Sequence, residues 1–481
     1  MTPSCSPWAF AALALLLSVS NVREVGAADT PAATAPSLAE TYRVAAERLI
    51  GAALTSDEAY TRLSMLCDGI GNRLSGSAAL DRAIRWAAEV LRADGLENVR
   101  LQPALVPHWV RGQESAEMVQ PGPQRLAMLG LGRSIGTPPR GITAEVVVVG
   151  SFDELKALPA DAVRGKIVLY DVPFTNYGET VRYRGGGANA AAARGAVAAL
   201  VRSVGPVSLR TPHTGAMSAY VDSIPKIPAA AVTIEDAMMI HRLASRGESV
   251  RVRLQMEAKT LPDVTSYNVL GELGGRERPD EVVVLGGHID SWDVGQGAND
   301  DGGGCIISME AVRLMKELGL RPRRTVRVVL WTNEENGTGG AKAYRDSLGE
   351  SARSHVAAIE TDGGVERPVG FGVRVEHAKE DSLGEARHQR AVARAREIAA
   401  LLAGIGAGKI TEEGGGADIG PLMKAGVPGL AHRTVGEHYF DWHHTQADML
   451  DKVDPQELRK NVAAMAVMTY ILADMPCRLD D

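Results

Sequence analysis

Apolar residues recur at helical spacing over about 38–53, 56–68 and 78–94, so the chain opens with three packed helices. Gly95 closes the third in the manner of a helix C-cap, and Val99–Leu105 then reads as a strand. From about Arg111 to Leu261 the pattern shortens. Apolar runs at Ala144–Val149, Lys166–Tyr170, Ala196–Val201 and Val250–Leu254 lie between proline- and glycine-bearing turns. This stretch predicts a smaller β-rich unit inserted into the main domain. Its glycine-rich segment Arg184–Arg194 lacks the following Lys-Ser/Thr of a phosphate loop, and reads as a connector or a helix start.

Beyond Asp263 strands and helices alternate. Val282–Leu285 form a continuous apolar run, as in a strand buried on both faces, and Gly286 and Gly287 end it. A helix over Cys305–Leu318, a strand over Thr325–Thr332, a helix over Thr338–Leu348 and a strand over His355–Ile359 follow. Helices at Leu383–Leu402 and Ile419–Ala425, a short strand at Gly429–Ala431 and a closing amphipathic helix at Pro455–Met475 complete the chain. The fold class is α/β: a mostly parallel mixed sheet with helices on both faces, plus the insert. The resulting division is 38–110 and 263–478 for the main domain and 111–262 for the insert.

Composition adds an address. Trp8–Val19 is apolar apart from Ser18, too short to span a bilayer comfortably, and Val25-Gly26-Ala27-Ala28 offers small residues for cleavage. Residues 1–27 therefore read as a signal peptide and the protein as exported; an uncleaved anchor is the alternative, since no Lys or Arg precedes the apolar run. A net charge of −7 supplies no basic footprint for nucleic acid or an anionic membrane. After cleavage Cys67, Cys305 and Cys477 remain, too few for a disulfide framework; Cys305 reads as a buried apolar thiol, and nothing in the sequence supports a Cys67–Cys477 bridge.

The chemistry gathers at strand ends. After Val282–Leu285 come His288, Asp290, Asp293, Asn299, Asp300 and Asp301; after the next strand come Glu334 and Glu335; after the third, Glu360 and Asp362; and late in the chain His443 and His444. A lone Glu-Glu pair is ordinarily a solvated surface feature. Successive strand ends that all carry acids or imidazole instead mark the ligand-binding edge of an α/β sheet. Imidazole and carboxylates without thiolate suit zinc or a similar divalent metal.

The series GGHIDSWDVGQGANDDGGG, TNEENGTGGAKAY, ETDGG and HHTQAD resembles the co-catalytic zinc exopeptidases, a group that includes bacterial zinc aminopeptidases and glutamate carboxypeptidases. The resemblance covers about Thr265 to the C-terminus, and the insert stands where that family carries a protease-associated domain. It implies two Zn2+ per chain. His288 and Asp362 would hold one, Glu335 and His444 the other, and Asp300 would bridge them; His443 is the neighbouring alternative to His444. Glu334 would be the general base, Asp290 would orient His288 through its second nitrogen, and the Asp300–Asp301 peptide would be cis. Asp418 and Tyr439 are further candidates for substrate contact.

The implied activity is hydrolysis of dipeptides or short peptides, of carboxypeptidase or dipeptidase type, by a metal-activated water. The alternatives are a zinc aminopeptidase and, against the intact ligand set, a non-catalytic relative of the transferrin-receptor type. The resemblance also implies a homodimer. The insert supplies none of the five ligands and is expected to be dispensable for metal binding.

Overall fold

The computed structural model describes residues 36–376 and 382–481. The expected signal peptide lies outside them. Among the described residues no helix is long and apolar enough to cross a membrane, and no disulfide joins Cys67 to Cys477.

Two eight-stranded sheets organise the chain. The first runs in the order Glu97–Val110, Lys259–Leu273, Arg324–Trp331, Arg278–His288, His355–Glu360, Gly429–Thr434, Pro368–Arg374 and Lys409–Thr411. Its four central strands, from Arg324–Trp331 to Gly429–Thr434, are parallel to one another. Antiparallel strands flank that centre. The expected α/β class and mixed sheet are present, with more antiparallel flank than the apolar runs announced. Of the two strands beyond Gly429–Thr434, Pro368–Arg374 is interrupted by two glycines and Lys409–Thr411 is only three residues long, so neither gives a clear period.

Helices cover both faces. Leu38–Leu54 begins at a capping box in which Ser37 and Glu40 satisfy each other's main-chain N–H groups. Gly303–Glu317 and Pro455–Asp474 pack together beneath the sheet. The closing helix, expected to be amphipathic, is buried throughout from Asn461 to Asp474 because the first helix covers its outer side. At the centre of the sheet a Cβ on Gly286 would collide with the Val329 carbonyl, and one on Gly287 with the Asp301 carboxylate. Glycine here admits close approach of the neighbouring backbone and of the loop that carries Asp301.

The second sheet is built from strands lying between Glu114 and Met256. It carries helices at Tyr177–Ala193 and Ile234–Ser245, so this unit is α/β rather than simply β-rich. The glycine-rich segment 184–194 is not a connector: most of it is the second half of the Tyr177–Ala193 helix. Gly187 lets that helix lie against the Tyr170 ring, where a Cβ would stand 2.9 Å away. The chain returns to the first sheet at Lys259, which pairs with Val110, a few residues before the expected boundary at 262.

Candidate metal centre

Parallel register brings the polar strand ends together. His288 pairs with Trp331 and Gly286 with Glu360, so the residues just beyond each strand emerge at one edge. There the loop 289–302 is held from below by Arg73. Its guanidinium donates to the carbonyls of Gly71, Ile289, Gln296 and Gly297 at 2.9, 2.8, 2.6 and 3.1 Å. The loop ends in the cis Asp300–Asp301 peptide, as the family resemblance implied.

Asp300 stands between two groups of side chains. Its Oδ1 lies 3.2 Å from His288 Nε2, and its Oδ2 lies 3.3 Å from His444 Nε2. Asp362 Oδ1 is 3.6 Å from His288 Nε2, and Glu335 Oε2 is 3.1 Å from His444 Nε2. The five side chains that the family resemblance implied as ligands therefore meet, in the two groups it implied. Asp300 Oδ2 and Asp362 Oδ1 are buried without a hydrogen-bond partner. Buried carboxylate oxygens in that condition call for a cation. The donors are imidazole nitrogens and carboxylate oxygens, a set that fits zinc.

Two neighbours compete for the same roles. Asp301 lies near His288 and Asp362, but its oxygens already accept the N–H groups of His288 and Gly304, at 3.0 and 3.1 Å. His443 stacks on His444 with ring centroids 3.6 Å apart, and its Nε2 is 3.6 Å from Asp300 Oδ2. His443 reaches only Asp300, whereas His444 faces both Asp300 and Glu335. The geometry favours His444.

Electrostatics follow from crowding charge out of water. Burial opposes a charged His288, yet the hydrogen bond to Asp300 and the neighbouring Asp362 carboxylate hold its pKa well above the usual histidine range. Burial would raise the Asp300 pKa, but His288 and His444 carry it well below the ordinary carboxylate value. Glu335 is pushed up to about 7 by burial and the nearby Asp300 charge. Glu334 is raised well above its usual value, by burial first and then by the Asp362 and Glu335 charges. Its carboxylate takes no hydrogen bond from any described residue, and with Asp362 it forms the more open side of the site.

The role expected for Asp290 requires correction. His288 Nδ1 is 3.0 Å from the Asp290 main-chain oxygen, whereas the carboxylate is 3.8 Å away. That carboxylate instead accepts the N–H groups of Glu334 and Glu335 at 3.0 and 3.3 Å. A short turn can present its carbonyl to the ring directly, which frees the side chain to clamp the adjacent strand end. Asp293 also leaves the centre, held by Arg111 at 2.8 and 2.6 Å. Asp418 is buried with both carboxylate oxygens unpartnered, and Tyr439 packs against His443 with ring centroids 5.1 Å apart.

A family model described as Peptidase family M28 matches residues 268–469, the stretch that carries His288, Asp300, Glu334, Glu335, Asp362 and His444. Carboxypeptidase Q of Mus musculus is 46% identical over 419 residues, which cover 87% of this chain and 86% of that protein. The chain belongs to peptidase family M28. A crystal structure of a peptidase M28 precursor from Shewanella amazonensis SB2B matches this M28 chain with a TM-score of 0.85 at 33% identity. The match covers 91% of this chain and 98% of that one. The zinc aminopeptidase BSAP from Bacillus subtilis shares the fold, with a TM-score of 0.63 at 21% identity over 88% of this chain and 96% of its own. The M28 chain is a peptidase, the enzyme class its motifs implied.

Proposed function

We propose that this M28 chain is an exported dinuclear zinc metallo-exopeptidase that hydrolyses dipeptides or short peptides in the carboxypeptidase or dipeptidase manner. One observation carries the dinuclear reading. The two oxygens of Asp300 face different histidines, and each histidine has a further carboxylate of its own, Asp362 or Glu335. His288, Asp300 and Asp362 would hold one ion; Asp300, Glu335 and His444 would hold the other. When bound, zinc supplies Lewis acidity, polarising a carbonyl and lowering the pKa of water.

The chain's own residues do the rest. Glu334 takes the proton of the attacking water and passes it to the leaving amine as the peptide C–N bond breaks. Asp290 fixes where Glu334 and Glu335 point by holding both main-chain N–H groups. The Trp292 main-chain N–H donates to Glu335 Oε1 at 3.1 Å, leaving Oε2 directed at His444. Ligands set at the ends of rigid, buried strands keep the site in register without large motions. Substrate approaches from the side of Glu334 and Asp362, since His288, Asp300, Glu335 and His444 are buried.

The carboxypeptidase or dipeptidase type rests on the similarity to carboxypeptidase Q across most of both chains. A panel of dipeptides with either end blocked tests it, run with zinc-loaded and chelated enzyme. Cleavage that requires a free C-terminal carboxylate and is abolished by chelation is the expected result. Cleavage of C-terminally amidated peptides at equal rate would make the enzyme an aminopeptidase.

A further inference from the structure

The candidate ligands all belong to the first sheet and its loops, yet one of them is held by the second unit. His444 Nδ1 lies 3.3 Å from the main-chain oxygen of Thr214 and 3.3 Å from Arg184 Nη1. The Thr214 N–H in turn donates to the His444 carbonyl at 2.9 Å. This segment therefore engages His444 through both its ring and its backbone. Arg184 Nη1 also donates to the Thr214 oxygen at 3.1 Å, and Nη2 to the Tyr177 hydroxyl at 2.6 Å. The Tyr177 ring stands edge-on to His443, centroids 5.2 Å apart.

These contacts are buried, with Arg184 6% and Thr214 0% exposed. Gly215 has φ +134°, and a Cβ there would collide with the Arg184 guanidinium. Glycine is what lets the cation lie against this carbonyl. Around this point the second unit is firmly seated. Arg111 grips Asp293 with two hydrogen bonds, Arg133 donates to the Asn336 carbonyl at 2.6 Å, and Trp292 lies in the apolar cluster that contains Trp109, Leu254 and Met256.

The chemistry of a metal-binding histidine gives these contacts a purpose. An imidazole that offers the Nε2 lone pair to a metal carries its proton on Nδ1, and that proton needs an acceptor. Guanidinium can only donate, so the acceptor here is the Thr214 oxygen. That oxygen has two lone pairs and can serve His444 and Arg184 together. Arg184 anchors the carbonyl on one side and Tyr177 anchors Arg184 on the other.

We infer that the second unit forms part of the metal centre: the Thr214 carbonyl, held by Arg184, fixes the tautomer and orientation of His444, so the Glu335–His444 half of the site depends on this unit being docked. The inference rests on the reading of His444 as a zinc ligand. Arg184 is a positioning residue in this scheme and touches no substrate. The inference predicts the opposite of the expectation that the insert is dispensable for metal binding.

The test is zinc titration of the full-length protein against a competing chelator. It compares wild type with Arg184→Met, Arg184→Lys and Glu335→Gln. Wild type should show two bound ions. Arg184→Met should weaken one of them by about 10–100-fold and leave the other unchanged. That loss should fall at the ion also weakened in Glu335→Gln, and Arg184→Lys should recover part of it. Should Arg184→Met fail to fold, Arg184→Lys carries the comparison, with a smaller loss confined to the same ion. Unchanged affinity for both ions in a folded Arg184 variant overturns the inference while leaving the metallopeptidase reading intact. Equal weakening of both ions overturns it too, since that is the mark of a general loss of structure. A wild-type protein that binds no zinc removes the underlying reading, and the inference with it.

Discussion

Asp448 accepts the main-chain N–H of Asp300 at 3.1 Å. Its other oxygen takes the Asn299 main-chain N–H at 2.8 Å and the Asn299 side-chain amide at 3.1 Å. One buried carboxylate thus fixes the turn from which Asp300 reaches both halves of the centre. Asp448→Ala leaves three donors without partners, so stability should fall by about 1–3 kcal/mol. Affinity for both zinc ions should also fall, by about 10–100-fold, because Asp300 is common to them. Zinc content after dialysis, read beside the melting temperature, checks this. Full zinc content in the variant would show that the turn holds itself.

Asp290 makes a second, separable prediction. Its carboxylate spans the N–H groups of Glu334 and Glu335, while its carbonyl faces His288. Asp290→Asn keeps that carbonyl but offers only one side-chain oxygen to two donors. We expect kcat to fall by about 10–100-fold with KM little changed, since the base rather than substrate binding is disturbed. Steady-state kinetics decide it, and an unchanged kcat would return Asp290 to a purely structural part.

Much of this candidate centre was legible in the sequence because most of its proposed ligands stand just after apolar strands, where periodicity and motif coincide. His288, Glu335 and Asp362 each follow a buried run, and the parallel register converts that linear fact into proximity. The partners of those groups were not legible. Asp290 turned its backbone rather than its carboxylate to His288, a matter of local turn conformation that residue type does not specify. Arg184 and Thr214 are separated from His444 by more than 200 positions and sit in segments whose local pattern carries no metal signal. Asp448 was visible within the HHTQAD motif, but its role depends on where the Asp300 turn lies. The Tyr177–Ala193 helix was obscured by three consecutive glycines, of which Gly187 is the one its packing against Tyr170 requires.

His355 supplies a pH test remote from the centre. Burial, with the Arg327 charge adding to it, depresses its pKa from 6.5 to about 4. Its Nε2 is 2.8 Å from the Tyr344 hydroxyl. Between those two values the unfolded chain binds a proton at this position that the folded chain does not. Stability from this group is therefore present above pH 6.5 and is lost as pH falls toward 4, at up to about 1.4 kcal/mol per pH unit. His355→Gln should lower stability at neutral pH and flatten its decline through that window by about one proton. Urea unfolding at a series of pH values reads the slope, and equal slopes for the two proteins would refute the assignment.

The most direct test of the account separates two chemically identical neighbours. Glu335 faces His444 and receives the Trp292 main-chain N–H, whereas the Glu334 carboxylate is free of hydrogen bonds among the described residues. Zinc content and kcat should be measured together for Glu334→Gln and Glu335→Gln. Glu334→Gln should keep both zinc ions and its melting temperature while kcat drops by roughly 10²–10⁴-fold, because only proton transfer is removed. Glu335→Gln should lose zinc from one site, and activity with it. Full activity in Glu334→Gln, or equal zinc loss in the two variants, would contradict the account.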